Sequence, residues 1–175
     1  MKVSRAWAMP NKNTFSIKPI AELIERYLNI EDGFWIDPFV GENPYAMYSN
    51  DMNPNVKADC HLDAIDFLRQ TPQQNDYCMF FDPPYSPRQI SECYKGVGIK
   101  VNFQTTQSKW YANIKDEIAR LVPKGKLVIS ASWNSNGIGM SRGFNIEEIL
   151  LVAHGGWHND TIVTVERKLR QAGES

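Results

Sequence analysis

The stretch Asp76-Tyr77-Cys78-Met79-Phe80-Phe81-Asp82-Pro83-Pro84-Tyr85-Ser86 decides how the rest of the chain is read. An apolar run without alternation predicts a strand over 76–81 that is covered on both faces, the environment of a parallel sheet. The run then stops at one carboxylate, two prolines and an aromatic ring. A turn accounts for the prolines. It does not account for an acid and a tyrosine held rigidly on either side of them.

Outward from this strand, the chain alternates between helical and extended patterns. Residues 18–29 place Ile20, Leu23, Ile24, Tyr27 and Leu28 on one helical face, and Gly33 follows as a stop. Short strands are predicted at 34–37, 46–50 and 57–60, followed by a helix over 61–70. Residues 86–105 show no clear period and contain Gly96 and Gly98, which predicts a long functional loop or lid. A helix over 105–122 carries Trp110, Ile114, Ile118 and Leu121 inward, and a strand follows at 126–132. The strands 146–153 and 160–167 form a hairpin through His154-Gly155-Gly156-Trp157-His158-Asn159, and the polar residues 168–175 form a frayed tail. This order predicts an α/β fold of three layers, Rossmann-like, with a mostly parallel seven-stranded sheet ending in an antiparallel hairpin. Residues 1–167 are read as a single domain, a size suited to the 175-residue length.

With 42% hydrophobic and 22% charged residues, the composition is that of a soluble globular protein, not a disordered one. No apolar run reaches the roughly 18 residues of a membrane span, and the start has no secretory apolar core. Cys60, Cys78 and Cys93 lack metal or disulfide spacing, so a cytoplasmic location without a metal site is expected. Net charge is −1, yet the charge is unevenly spread. Residues 1–18 hold four bases and no acid, 19–85 twelve acids against three bases, and 86–126 eight bases against three acids. The last segment, which includes Arg88, Lys95, Lys100 and Lys109, is a candidate polyanion-binding face, against the alternative of a solvated surface.

In an open sheet of this kind, ligands bind beyond the carboxyl ends of the strands. Asp37, Asp51, Asp63 and Asp82 all fall at or just after such ends. Any one of them suits a helix cap, but four on one edge crowd negative charge unless a ligand uses it. Asp51 is placed to take hydrogen bonds from a ribose. A dinucleotide fingerprint is missing, because the turn Asp37-Pro38-Phe39-Val40-Gly41-Glu42-Asn43 supplies one glycine. The site therefore suits a nucleoside-bearing ligand without phosphates, of which S-adenosylmethionine is the common example.

The Asp-Pro-Pro-Tyr segment resembles the catalytic motif of the S-adenosylmethionine-dependent amino-directed DNA methyltransferases, the adenine-N6 group in particular. Other segments are similar in order over roughly residues 14–165. Thr14-Phe15 begins a stretch like the one backing the methionine end of the cofactor. Asp37-Pro38-Phe39 with Gly41 resembles the cofactor turn, Asp51-Met52 the ribose-binding strand end, and Asp63-Ala64 the segment beside the cofactor adenine. Trp157 and His158 lie in a loop like the one that approaches the target base. Asn43 stands where the family has a second glycine, and a preserved turn there would call for a positive φ, which asparagine tolerates.

The resemblance implies catalysis by Asp82, Pro83, Pro84 and Tyr85. The Asp82 carboxylate and Pro83 carbonyl would accept the two amino hydrogens of adenine, and Tyr85 would stack on the extruded base. An RNA adenine or DNA cytosine-N4 substrate and a non-catalytic subunit of a complex are the alternatives. DNA is the expected partner, with RNA possible. The core uses up the chain, so recognition would come from its loops, a recognition subunit or a homodimer. Small phage-borne enzymes and those of restriction-modification are of similar build.

Overall fold

The central strands form where the sequence leaves no polar face. In the computed structural model, which describes residues 1–98 and 108–170, Tyr77–Phe81 is buried at every position. Its register carries Phe34–Asp37 on one side and Leu127–Ser132 on the other, both parallel. In chain order the elements are β1 (Lys2–Trp7), α1 (Lys18–Ile30), β2 (Phe34–Asp37), β3 (Tyr48–Ser49), α2 (Ala64–Gln70), β4 (Tyr77–Phe81), α3 (Pro87–Gly96), α4 (Ser108–Leu121), β5 (Leu127–Ser132), β6 (Phe144–Ala153) and β7 (Thr161–Lys168). Short 3-10 turns lie at Thr14–Ser16 and Met140–Arg142.

The seven strands form one sheet in the order β1-β6-β7-β5-β4-β2-β3. Only β7 runs against its neighbours β5 and β6. Alternation along β4 supplies both apolar layers. Met79 and Phe81 join Ile36 and Val128 under α2, α3 and α4. Cys78 and Phe80 join Trp35 and Ile129 under α1 and Phe15. The result is a three-layer Rossmann-like sandwich.

Two buried charged groups staple the far side of the sheet. Glu148 of β6 accepts hydrogen bonds from Tyr27 (3.0 Å) and Arg26 (2.8 Å) of α1, and Lys2 of β1 stands 3.2 Å away. Lys168 of β7 sends its ammonium group inward to the carbonyls of Ala119, in the last turn of α4, and Val122, just after it.

Several sequence expectations are corrected here. The strand at 57–60 is reduced to a single bridge between Asn50 and Cys60, and the strand at 46–50 to two residues. The seventh strand is instead β1, parallel to β6 from Lys2↔Glu148 to Trp7↔Ala153. It escapes a hydrophobicity reading because its larger side chains Val3, Arg5 and Trp7 are exposed, while Ser4 and Ala6 face inward. Residues 87–96, read as part of a loop, are helical: Ser86 caps the helix through Gln89 N–H (3.2 Å), and Pro87 starts it. Residue 168 belongs to β7, not to a frayed tail. Residues 99–107 of the expected loop and 171–175 of the tail lie outside the described residues. Among the described residues, no helix is long and apolar enough to cross a membrane.

Candidate active site

The four acidic strand ends converge on the carboxyl edge of the sheet, and each carboxylate is held by its own set of donors. Asp37, fully buried at the end of β2, accepts from Phe39 N–H (2.8 Å) and the Asn43 side-chain amide (2.7 Å). Burial pushes its carboxyl up to about 7 against those hydrogen bonds, and the nearby charges of Asp82 and Asp51 push in the same direction. Asp51 accepts from Gly41 N–H (3.1 Å) and Asn53 N–H (2.8 Å), one bond on each oxygen. Gly41 adopts φ 48°, the left-handed conformation that turns its N–H toward Asp51. Asp63 caps α2 through Ile65 N–H (2.9 Å) and accepts a hydrogen bond from the Tyr94 hydroxyl of α3. Trp110 Nε1 of α4 donates in turn to Tyr94 (3.2 Å).

Asn43 does not take a positive φ; among the described residues only glycines do. Its side chain does the structural work instead, donating to Asp37 while its oxygen accepts from Tyr45 N–H (3.0 Å). A glycine at this position would lose both contacts.

Asp82 follows β4 directly. The Tyr85 hydroxyl turns back to donate to Asp82 Oδ1, with Thr14 Oγ1 3.5 Å from the same hydroxyl. Burial pushes the Asp82 carboxyl up to about 6, opposed by the hydrogen bonds from Tyr85 and Thr14. Burial beside Asp82 likewise drives the Tyr85 phenol upward, so it remains a donor. The loop itself is pinned at two points. Gln89 Oε1 accepts from Tyr85 N–H (2.7 Å), and the Tyr111 hydroxyl donates to the Pro84 carbonyl. The Tyr85 ring meets Trp133, the residue after β5, edge-on at 5.5 Å and 67°.

A cavity of about 560 Å³ opens over these strand ends. Pro38, Phe39, Asp51 and Met52 line one side, Asp63 and Ala64 another. Asp82, Pro83, Pro84 and Tyr85 form a third wall. A smaller cavity of about 170 Å³ lies beside Phe15, Gly41 and Asn43. Thr14, Phe39 and Asp82 line both cavities. Asp37 lines neither and acts from beneath, through the turn it holds.

Sequence reading missed part of this wall. Gln89, Cys93 and Tyr94 come from α3, Val97 directly follows it, and Trp110 comes from α4. The Ser86-Pro87 start and the Ile90/Tyr94 spacing carried the signal for α3. Asn50 was missed as well. Fully buried, it donates to the Pro38 (3.2 Å) and Leu62 (3.0 Å) carbonyls and accepts from Leu62 N–H (2.9 Å), locking the ends of β2 and β3 to the segment that leads into α2.

The residues expected to contact nucleic acid are more scattered. Arg88 is exposed but paired with Glu92 at 2.8 Å, while Lys95 and Lys109 are exposed on α3 and α4. Trp157 and His158 are exposed in the β6–β7 loop and do not line the cavity. Lys100 lies outside the described residues. Among the described residues, no group of three His, Cys, Asp or Glu side chains could hold a metal ion.

No protein-family model matches the chain, and no curated protein matches it in sequence. Solved structures do match it in three dimensions. yhhF of Escherichia coli, which bears the provisional name of a methyltransferase, superposes with TM-score 0.55 at 11% identity, over 93% of this chain and 92% of its own. The N-methyltransferase NodS of Bradyrhizobium japonicum, solved with S-adenosyl-L-homocysteine, gives TM-score 0.54 at 10% identity over 91% and 90%. TrmN of Thermus thermophilus gives 0.54 at 17% identity, over 87% of this chain and 49% of its own. The fold is thus the Rossmann-like one that methyltransferases use.

Proposed function

We propose that the protein is an S-adenosylmethionine-dependent methyltransferase acting on the exocyclic amino nitrogen of adenine in DNA. The observation that carries this reading is the Asp82-Pro83-Pro84-Tyr85 wall, which faces a cavity bordered by Asp51 and Asp63. Its residues fit the cofactor. Each Asp51 oxygen accepts one backbone hydrogen bond and keeps a lone pair for a ribose hydroxyl. Phe39, Met52 and Trp110 offer apolar surface for an adenine ring, and Asp63 an acceptor for its amino group. The cavity volume lies within the range of small-molecule sites. The smaller cavity beside Thr14 and Gly41 suits the amino-acid end. NodS, with its bound S-adenosyl-L-homocysteine, supports the same cofactor on this fold.

Bound S-adenosylmethionine supplies an electrophilic methyl group. The chain's own residues must then make a poor nucleophile competent. The lone pair of an adenine amino group is delocalised into the ring. Acceptors at Asp82 and the Pro83 carbonyl, taking both N–H hydrogens, favour a tetrahedral nitrogen whose lone pair points away from the ring. Two successive prolines fix φ near −65° and remove competing N–H donors, so the acceptors are pre-positioned. Tyr85 satisfies one Asp82 oxygen, and the incoming amino group takes up the remaining acceptor capacity. Tyr85 and Trp133 provide the aromatic surface against which an extruded or unpaired base rests. The transferred methyl raises the acidity of the amino nitrogen, so its proton leaves afterwards without a strong base. Orientation and electrostatics are the sources of rate.

Titration calorimetry and a methyl-transfer assay on DNA test this reading together. Wild type is expected to bind the cofactor and to label DNA. Asp51→Ala should weaken binding by about tenfold or more, on the scale of a lost charge-assisted hydrogen bond, while Asp82→Ala should keep binding and lose transfer. Transfer by Asp82→Ala at the wild-type rate would remove the proposed role of the motif.

A further inference from the structure

Beside Trp133, which the proposed chemistry already uses, two more tryptophans stand in solvent on the same edge as Asp82. Trp157 is fully exposed, Trp7 is 65% exposed and Trp133 41%. Trp7 ends β1, Trp133 follows β5, and Trp157 lies in the loop after β6. All three strands are parallel to β4, so their carboxyl ends share an edge. The order β1-β6-β7-β5-β4 places the three rings in sequence along it, leading away from Asp82. At about 4.8 Å per strand the row spans roughly 14 Å, and its far end lies roughly 19 Å from the strand that carries Asp82.

The row is anchored at both ends. Trp133 packs edge-on against Tyr85 at the cavity. At the far end the Trp7 indole lies against Gly155, where an added Cβ would stand 3.4 Å from its Nε1. Buried His154 then ties the two segments together. Its Nδ1 lies 2.8 Å from the Ala8 carbonyl, and its Nε2 2.8 Å from Thr161 Oγ1. A carbonyl can only accept, so Nδ1 donates to Ala8, while Nε2 shares a hydrogen bond with the Thr161 hydroxyl. The root of the 154–160 loop is therefore fixed to the residue following Trp7. Arg5 stands two residues before Trp7 on the same exposed face of β1. Of the four bases in residues 1–18, Lys2, Lys12 and Lys18 are paired with Glu148, Glu42 and Glu22, so Arg5 is the cation beside the row.

Exposed aromatic rings at strand ends, with Arg5 beside the outermost and the innermost in contact with a cavity-lining tyrosine, suit stacking of unpaired bases beside a phosphate chain. We propose that Trp133, Trp157 and Trp7 form a stacking row for a single-stranded DNA segment flanking the methylated base. This assignment rests on the methyltransferase reading for its polarity, from the Asp82 cavity outward. It makes the substrate an unpaired or locally melted strand.

The test uses the full chain and a labelled 16-nucleotide thymidine oligonucleotide, which has no adenine and cannot be methylated at the proposed position. Binding is followed by anisotropy and by quenching of tryptophan emission. Wild type should bind with quenching, and more tightly than it binds a duplex of equal length. Trp157→Ala and Trp7→Ala should each lose about tenfold in affinity, Trp157→Phe should recover most of the loss, and cofactor affinity should not change. Affinities of the alanine variants within twofold of wild type would overturn the proposal. So would duplex bound as tightly as single strand, or self-association that disappears in Trp157→Ala while DNA binding persists. Loss of methyl transfer by wild type with tryptophan-dependent oligonucleotide binding intact would count against the chemistry and leave the row standing. Wild-type methylation of duplex adenine by the Trp7→Ala/Trp157→Ala double variant would do the reverse.

Discussion

Replacing Asp82 by asparagine should stabilise the protein while abolishing its chemistry. Burial raises the Asp82 carboxyl from 3.8 to about 6, a shift of about two units, and each unit corresponds to about 1.4 kcal/mol. Because the folded-state value lies above the unfolded one, ionisation of Asp82 opposes folding. That penalty is absent below about pH 4, grows between about 4 and 6, and is complete above about 6. Asp82→Asn removes it and keeps an oxygen for the Tyr85 hydroxyl. It also removes one of the charges that push Asp37 upward. Since the side chain sits at a cavity wall and is partly exposed, the gain is expected at about 1–3 kcal/mol near neutral pH. For a chain of this size that is a rise in Tm of roughly 3–10 °C. Thermal unfolding at pH 7.5 and at pH 4 measures it: the variant should melt above wild type at the higher pH and within about a degree or two of it at the lower. A lower Tm at pH 7.5, or a difference independent of pH, would refute the reasoning that Asp82 is a strained ionised acceptor.

Three further outcomes follow from the same geometry. Tyr85→Phe removes a donor that lowers the Asp82 pKa, so the acidic limb of the pH–rate profile for methyl transfer should move to higher pH. Asn43→Gly, which restores the glycine of the related motif, should cost about 1–3 kcal/mol in chemical denaturation, because it strands a buried Asp37 oxygen; cofactor affinity should fall or stay level, not rise. Lys168→Ala leaves the carbonyls of Ala119 and Val122 without their ammonium donor and opens a cavity, so a loss of about 2–4 kcal/mol is expected in the same measurement.

The parts of the fold that were legible in sequence are those in which one local pattern decides the outcome. β4 is buried on both faces and reads as an unbroken apolar run. α1 and α4 carry their inner residues at helical spacing. β1 was not legible because it is an edge strand whose small residues face inward, so its hydrophobic signal is inverted. The 57–60 segment had strand composition, but only Cys60 finds a partner in Asn50, so no strand forms. The candidate site divides in the same way. Asp37, Asp51, Asp63 and Asp82 could be found because strand ends form a single edge. Asn43 and Asn50 could not, because their roles depend on side-chain bonds between segments distant in sequence. Tyr94 reaches Asp63 across 31 residues, a contact that no local period encodes. The inward turn of Tyr85 onto Asp82 also depends on Thr14 and Trp133, drawn from opposite ends of the chain.

The role proposed for the Asp82 wall is to direct a methyl group to the amino nitrogen of adenine. Nucleoside mass spectrometry of single-stranded and duplex DNA, digested after incubation with the protein and isotope-labelled S-adenosylmethionine, tests it most directly. Labelled N6-methyladenine formed by wild type, greater on the single strand and missing with Asp82→Ala, is the predicted result. A protein that binds the cofactor but yields no labelled adenine, or yields as much with Asp82→Ala as with wild type, would contradict the account.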